Sequence, residues 1–290
     1  MFTTAETRAI QQLSTPDGAL AVLAADQRVS LRRMFERAGG PAGDAVLLDF
    51  KRALVRELAP SASAVLLDPE IALPDVVDTG LLPRGAGLLV SVEVSGTELD
   101  GDLAAVRLIP DFGAAGVRRM GGTAAKLLVR LRPDREDAGG HNGRVVRDVV
   151  RDCVQHDLLA VVEGLVHRLP DDSDAEFARR KPGLIRDVAV LLSECGARYL
   201  KLEYPGSEAA CAAVTDAVKV PWAVLSAGVD HDEFLGRLRA ARAGGASGFI
   251  SGRSIWKEAV GMAPAQRDAF LAGEGRRRLE QLLELVRRGA

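Results

Sequence analysis

The chain has 290 residues, 47% of them apolar and 27% charged, with a formal net charge of −2. That apolar content supports a substantial core, and the near-neutral balance excludes nucleic acid or a membrane surface as a partner recruited by bulk charge. No apolar run reaches the ~18 residues of a membrane span, and the opening "MFTTAETRAIQQLS" has no apolar signal segment, so a cytoplasmic protein is expected.

In chain order, eight short runs predict strands: "LAVLAAD" (20–26), "ASAVLLD" (62–68), "GAGLLVSVE" (85–93), "AAKLLVRL" (124–131), "LLAVVEGLV" (158–166), "RYLKLEY" (198–204), "PWAVLSAG" (221–228) and "ASGFISGR" (246–253). Most are almost continuously apolar, as parallel strands covered on both faces must be. The intervening segments, among them "GDAVLLDFKRALVRELAP" and "KPGLIRDVAVLLSECG", have helical periodicity. Eight alternating units predict an α/β fold, a TIM (β/α)8 barrel, with a doubly wound open sheet as the alternative. No stretch reads as an interdomain linker, so residues 1–290 are expected to form a single barrel domain, with the charged "RPDREDAGGHNG" (132–143) as a surface loop. Cys153, Cys195 and Cys211 are odd in number and sit in helical stretches, which predicts buried thiols rather than disulfides or a zinc site. The four histidines (141, 156, 167 and 231) are scattered, and no metal is assigned.

A barrel of this kind builds its active site at the C-terminal mouth of the strands. Polar residues ending or interrupting the predicted strands are Asp26, Asp68, Lys126, Glu163, Lys201, Ser226 and Arg253. Each has a plain structural reading: Asp68 as a helix cap, Lys126 as an exposed strand end, the whole set as internal salt bridges across the mouth. Lys201, inside "YLKLEYP", is the exception that needs a reason. A lysine among barrel strands is desolvated, which favours the neutral, nucleophilic amine, and attack on a ketone gives a Schiff base that activates the adjacent carbon–carbon bond. Lys126 is then expected to depress the nucleophile's pKa and hold substrate oxygens. Glu163 is expected to have a raised pKa and to pass protons, and Asp26 to orient a lysine or a substrate hydroxyl.

The last two units end in "LSAGVD" (225–230) and "SGFISGRS" (247–254), glycine-containing turns followed by helix starts. Phosphate groups in barrels are commonly held there by backbone N–H groups, and Arg253 and Ser226 add side-chain donors.

Together "LAADQRVSLRRMF" (23–35), "ASAVLLDPE" (62–70), "AAKLLVRL", "YLKLEYP" (199–205), "PWAVLSAGVD" (221–230) and "GASGFISGRSIWKEAV" (245–260) resemble class I aldolases of the group containing tagatose-1,6-bisphosphate aldolase and sulfofructose-phosphate aldolase. The resemblance runs over nearly the whole chain. It implies a metal-free, cofactor-free barrel, with Lys201 as the Schiff-base lysine, Glu163 as the proton-transferring acid, and Asp26 and Lys126 in support. It also implies that Ser226, Gly228, Gly252 and Arg253 hold the C1 phosphate of a ketose, and that the protein assembles as a homo-oligomer. Gly164 departs from the sulfosugar enzymes, which tend to have proline after the glutamate, and this puts the loop shape there in question.

The two substrates differ at C6, sulfonate in one and phosphate ester in the other. Gln27 and Arg28, just past Asp26, are the expected readers of that group. The expected reaction is cleavage of 6-deoxy-6-sulfofructose 1-phosphate to dihydroxyacetone phosphate and 3-sulfolactaldehyde. The alternative is a tagatose- or fructose-1,6-bisphosphate aldolase giving glyceraldehyde 3-phosphate. Two rivals from other classes are a phosphate-binding isomerase or epimerase without a Schiff base, and a sugar-phosphate-binding regulator on an aldolase scaffold. The C-terminal "RRRLEQLLELVRRG" (276–289), with leucines at helical spacing, is expected to cover its own barrel, with subunit pairing as the other reading, and Trp256 is expected in the core.

Overall fold

The computed structural model describes residues 1–96 and 102–287. Eight strands, β1 (Leu20–Ala24), β2 (Ala64–Leu67), β3 (Gly87–Ser91), β4 (Ala124–Leu131), β5 (Leu159–Val166), β6 (Tyr199–Leu202), β7 (Trp222–Leu225) and β8 (Gly248–Ser251), close into a barrel in sequence order. Every pair is parallel. The open sheet is thereby excluded. The runs read from sequence end within a few residues of the strands, and their polar tails form the rim.

Helices return the chain between strands: α1 (Thr4–Leu13) precedes β1, α2 (Val29–Arg37) and α3 (Asp44–Leu58) follow it, and α4 (Asp75–Asp78) follows β2. Then come α5 (Ala114–Arg119), α6 (His141–Gln155), α7 (Asp174–Glu194), α8 (Glu208–Ala217), α9 (His231–Ala243), α10 (Arg253–Trp256), α11 (Pro264–Phe270) and α12 (Arg276–Arg287). No helix among the described residues is long and apolar enough to cross a membrane.

Alternation along the strands sorts side chains into two cores. Leu20, Val22, Leu66, Leu89, Leu159, Val161, Tyr199 and Ile250 fill the barrel interior, while their neighbours, such as Leu23, Val65, Val90 and Val162, pack outward beneath the helices. The lower end is plugged by α1, whose Ala9 and Leu13 join the interior cluster. A capping box starts that helix, Glu6 N–H donating to Thr3 Oγ1 (3.1 Å) and Thr3 N–H to Glu6 Oε2 (2.8 Å). With α1 across the lower end, the inward-facing polar groups gather at the upper mouth.

Three stretches refine the expectations. Residues 132–143 are not simply a surface loop: Arg132 is fully buried, held by Asp134 (2.9 Å) and Asp172, and α6 already begins at His141. Two carboxylates make that burial tolerable. Gly164 lies inside β5 rather than in a loop, and a Cβ there would stand 2.5 Å from Val188 Cγ1 and 2.8 Å from Leu192 Cδ1, so its bare backbone lets α7 close onto the barrel. In α12, Leu279, Leu282, Leu283 and Val286 are buried against the chain's own α9, α3 and β1; residues 288 and 289 of that predicted stretch lie outside the described residues. Trp256 is fully buried, edge-on to Phe50 (5.5 Å) and donating from Nε1 to Ala24 O (3.1 Å). All three cysteines are buried and free.

Candidate active site

Following the inward parity up each strand leads directly to the mouth. In β4 it passes from Ala124 to Lys126, in β5 from Val161 to Glu163, and in β6 from Tyr199 to Lys201. Beyond the ends of β1 and β3 it reaches Asp26 and Glu93. Register then sets the heights: Leu128, Glu163 and Lys201 are level on adjacent strands, with Lys126 one inward step lower. All five polar side chains border a cavity of about 260 Å³. A larger hollow of about 640 Å³ lies at the opposite end, beside α1, and includes none of the predicted residues.

The five groups form one connected network. Lys201 Nζ donates to Glu163 Oε2 at 2.9 Å, and the same oxygen lies 2.8 Å from Lys126 Nζ. Lys126 also donates to Asp26 Oδ2 (3.0 Å) and Glu93 Oε1 (2.9 Å), while Glu93 Oε2 accepts from the Leu128 N–H (3.1 Å). Each member is nearly inaccessible, Lys126 at 1% and Lys201 at 5% exposure, so the charges interact with little screening.

Those contacts reverse the expectation for Glu163. Burial pushes the Glu163 carboxyl up, but Lys126 and Lys201 together overcome it and hold it below the ordinary 4.5; it is not raised. Burial likewise opposes the charged form of Lys126, yet Asp26, Glu163 and Glu93 raise its pKa well above 10.5. Its charge is balanced by three carboxylates. Asp26 follows the same pattern as Glu163: burial is outweighed by Lys126, then Lys201, and the carboxyl is held below its ordinary 3.8. Glu93 goes the other way, its burial prevailing over Lys126, so its pKa is raised. One carboxyl in the cluster is thus the easiest to protonate.

The structure distributes the remaining predicted residues unequally. Asp68 turns away from the site, pairing with Lys51 and accepting from the Ile71 N–H (2.7 Å), close to the capping role allowed for it. Gln27 borders the cavity, and its buried Oε1 has no partner, leaving an acceptor for an incoming hydroxyl. Arg28 also borders the cavity, but its Nη1 pairs with Glu70 and its Nη2 donates to Glu93 O (2.8 Å). It braces the β1 and β3 loops, and its buried Nε is left without a partner.

At the other side, β7 runs into Ser226, Ala227 and Gly228, with Gly228 at φ +83°, a backbone region that favours glycine. A Cβ on Gly228 would stand 3.1 Å from Arg253 Cζ, so that guanidinium lies across the bare turn. Arg253 follows Gly252 at the start of α10 and reaches the cavity, whereas buried Ser226 and Gly252 flank it without lining it.

Glu93, Arg33 and Arg130 also border the cavity. Glu93 ends "GAGLLVSVE" and Arg130 sits in "AAKLLVRL", both at inward parity, so strand alternation was the signal that could have found them. Arg33, on a helix, offered no such signal.

A closed parallel barrel with a lysine–carboxylate network bordering a cavity at its mouth has the groups that proton transfer and amine chemistry require. Residues 20–258 match the DeoC/LacD family aldolases, and the chain belongs to that family: it is an aldolase, a carbon–carbon lyase. Among its relatives, tagatose 1,6-diphosphate aldolase 2 of Enterococcus faecalis is 29% identical over 98% of this chain and 94% of its own length. Tagatose 1,6-diphosphate aldolase of Listeria monocytogenes is 28% identical over 97% of this chain and 91% of its own. Of solved structures, a Schiff-base-forming fructose-1,6-bisphosphate aldolase superposes with a TM-score of 0.65 at 17% identity, covering 97% of this chain and 99% of that one, a likeness of fold.

Proposed function

We propose that this chain is a Schiff-base aldolase, acting as a single barrel domain, that cleaves tagatose 1,6-bisphosphate or a closely related ketohexose bisphosphate to dihydroxyacetone phosphate and glyceraldehyde 3-phosphate. The observation that carries the reading is the Lys201 amine 2.9 Å from a Glu163 carboxylate at the base of the mouth cavity. The curated relatives favour the bisphosphate over the 6-sulfonate expected first from sequence, since those reported above are named for tagatose 1,6-diphosphate.

At rest Glu163 is an ion-paired carboxylate. Entering phosphates oppose the hold of the lysines on it and move its carboxyl back towards proton acceptance. Lys201 gives up a proton to Glu163 and its amine adds to the C2 carbonyl, forming the C–N bond of a carbinolamine. Glu163 returns the proton to the departing hydroxyl, and loss of water leaves the protonated imine. The C4 hydroxyl then gives its proton to the Glu163 carboxylate, the C3–C4 bond breaks, and the bonding pair flows into the iminium to give an enamine. Glyceraldehyde 3-phosphate leaves. Glu163 returns that proton to C3, and hydrolysis by water releases dihydroxyacetone phosphate and regenerates Lys201. Asp26 and Glu93 keep Lys126 fixed, and Lys126 in turn keeps Glu163 aimed at Lys201; Gln27 takes a substrate hydroxyl.

The test is borohydride reduction during turnover, with tagatose 1,6-bisphosphate, fructose 1,6-bisphosphate and 6-deoxy-6-sulfofructose 1-phosphate supplied separately. A three-carbon phosphate adduct on Lys201, lost in Lys201→Ala together with cleavage, is expected. Cleavage by Lys201→Ala, or an adduct on another residue, overturns the assignment. Preference for the sulfonate would restore the sulfosugar reading and leave the mechanism intact.

A further inference from the structure

Among the described residues, six cations border the mouth cavity and only three carboxylates do, Asp26, Glu93 and Glu163. Those carboxylates are engaged by Lys126, Lys201 and Arg28. Arg33, Arg130 and Arg253 have no ion pair among the described residues, and Arg33 and Arg130 are solvent-exposed. Such a surplus fits a substrate with more than one anionic group.

Their positions divide them. Arg253 follows β8, with its guanidinium across Gly228. In an eight-strand closed barrel β4 lies opposite β8, with β6 and Lys201 midway between. On β4 the inward series is Lys126, Leu128, Arg130, and Leu128 is level with Glu163 and Lys201. Arg130 therefore stands one inward step, about 7 Å along the strand, above the level of the Lys201 backbone. It gets there because β4 and β5 pair over eight residues each, whereas β6, β7 and β8 stop at four. Arg33 enters the same cavity from the second turn of α2, past the braced Arg28.

We infer that Arg130, with Arg33, seats the phosphate on C6 of the ketohexose, leaving Arg253 to the phosphate on C1; this rests on the bisphosphate-aldolase reading above. The assignment puts Arg130 and Arg33 ahead of Arg28 as readers of the distal group, because two of the Arg28 nitrogens are already committed to Glu70 and to the Glu93 carbonyl and only its Nε is without a partner. Guanidinium groups free of protein partners can give paired N–H donors to a phosphate, and two of them match a dianion better than a monoanionic sulfonate.

The experiment compares two reactions of the intact protein. Cleavage of tagatose 1,6-bisphosphate needs both phosphate seats, whereas exchange of the C3 proton of dihydroxyacetone phosphate with deuterated solvent needs only Lys201 and the C1 seat. In Arg130→Gln, KM for the bisphosphate should rise about 10- to 100-fold, the size of a lost charge-assisted contact. The exchange reaction should be unchanged, Arg33→Gln/Arg130→Gln should be weaker still, and Arg130→Lys should recover part of the loss. Arg253→Gln should impair both reactions. Equal losses in both reactions for the double variant, or none in either, overturn the distal seat. Wild-type protein that neither exchanges nor cleaves would instead bring down the aldolase reading and this assignment with it.

Discussion

Two lysine sites lie within the same barrel and have opposite fates. At the ends of β1 and β2, Lys51 reaches in from α3 and pairs with Asp68, both at 0% exposure, donating also to Ala25 O (2.8 Å). Burial lowers the pKa of Lys51 in spite of Asp68. At the mouth, Lys126 and Lys201 share Glu163, and the network opens to a cavity. Burial and a carboxylate partner are common to both sites, so neither distinguishes a reactive lysine. What differs is that Lys51 is sealed with a partner of its own, whereas Glu163 serves two amines at the edge of a cavity. Lys51 acts at a distance: by fixing the Ala25 carbonyl it holds the backbone just before Asp26.

The largest effect that sharpens this contrast is on turnover. Glu163→Gln should lower kcat by about 10²- to 10⁴-fold, with slower formation of the borohydride-trapped adduct, since proton transfer is lost while the chain still folds. An unchanged kcat would break the distinction. Lys51→Met should act on stability instead, lowering the unfolding free energy by about 3–5 kcal/mol in urea titration, because Asp68 is left charged and buried. Lys51→Met/Asp68→Leu should recover much of that loss, and adduct formation per folded molecule should persist in both.

A smaller effect is expected in acid. Asp26 and Glu163 have native pKa values below their ordinary ones, so the unfolded chain binds protons first as pH falls, and stability is lost progressively between about pH 5 and pH 2. Glu93 has the opposite sign: its contribution is full below its ordinary 4.5 and is lost as pH rises through its higher native value. Asp26→Asn should flatten the acid limb of a plot of unfolding midpoint against pH; an unaltered slope would detach Asp26 from the network. The smallest effect concerns thiols: burial pushes Cys153 and Cys211 up to about 12, so neither should label with a thiol reagent at neutral pH until the chain is denatured. Prompt labelling of native protein would contradict their place in the core.

The order of eight strands, the helices between them and the buried Trp256 were all legible from local pattern, because apolar runs of strand length separated by helical periodicity already state which faces must be covered. So were Asp26, Lys126, Glu163 and Lys201, since a charge interrupting a buried strand is conspicuous in one dimension. Glu93 and Arg130 carried the same mark, and only the folded parity gave it meaning. Other facts came from tertiary structure alone: that Glu163 is held low and not raised, that Lys126 is balanced by three carboxylates, that Arg28 pairs with Glu70 and the Glu93 carbonyl, and that Gly164 seats a helix. Each depends on which group stands within about 3 Å of another, and closing the barrel brings together residues as far apart in the chain as Asp26 and Lys126. Periodicity determines which side of a strand a residue faces, but the sign of a pKa shift and the vacancy of a guanidinium are set by through-space partners.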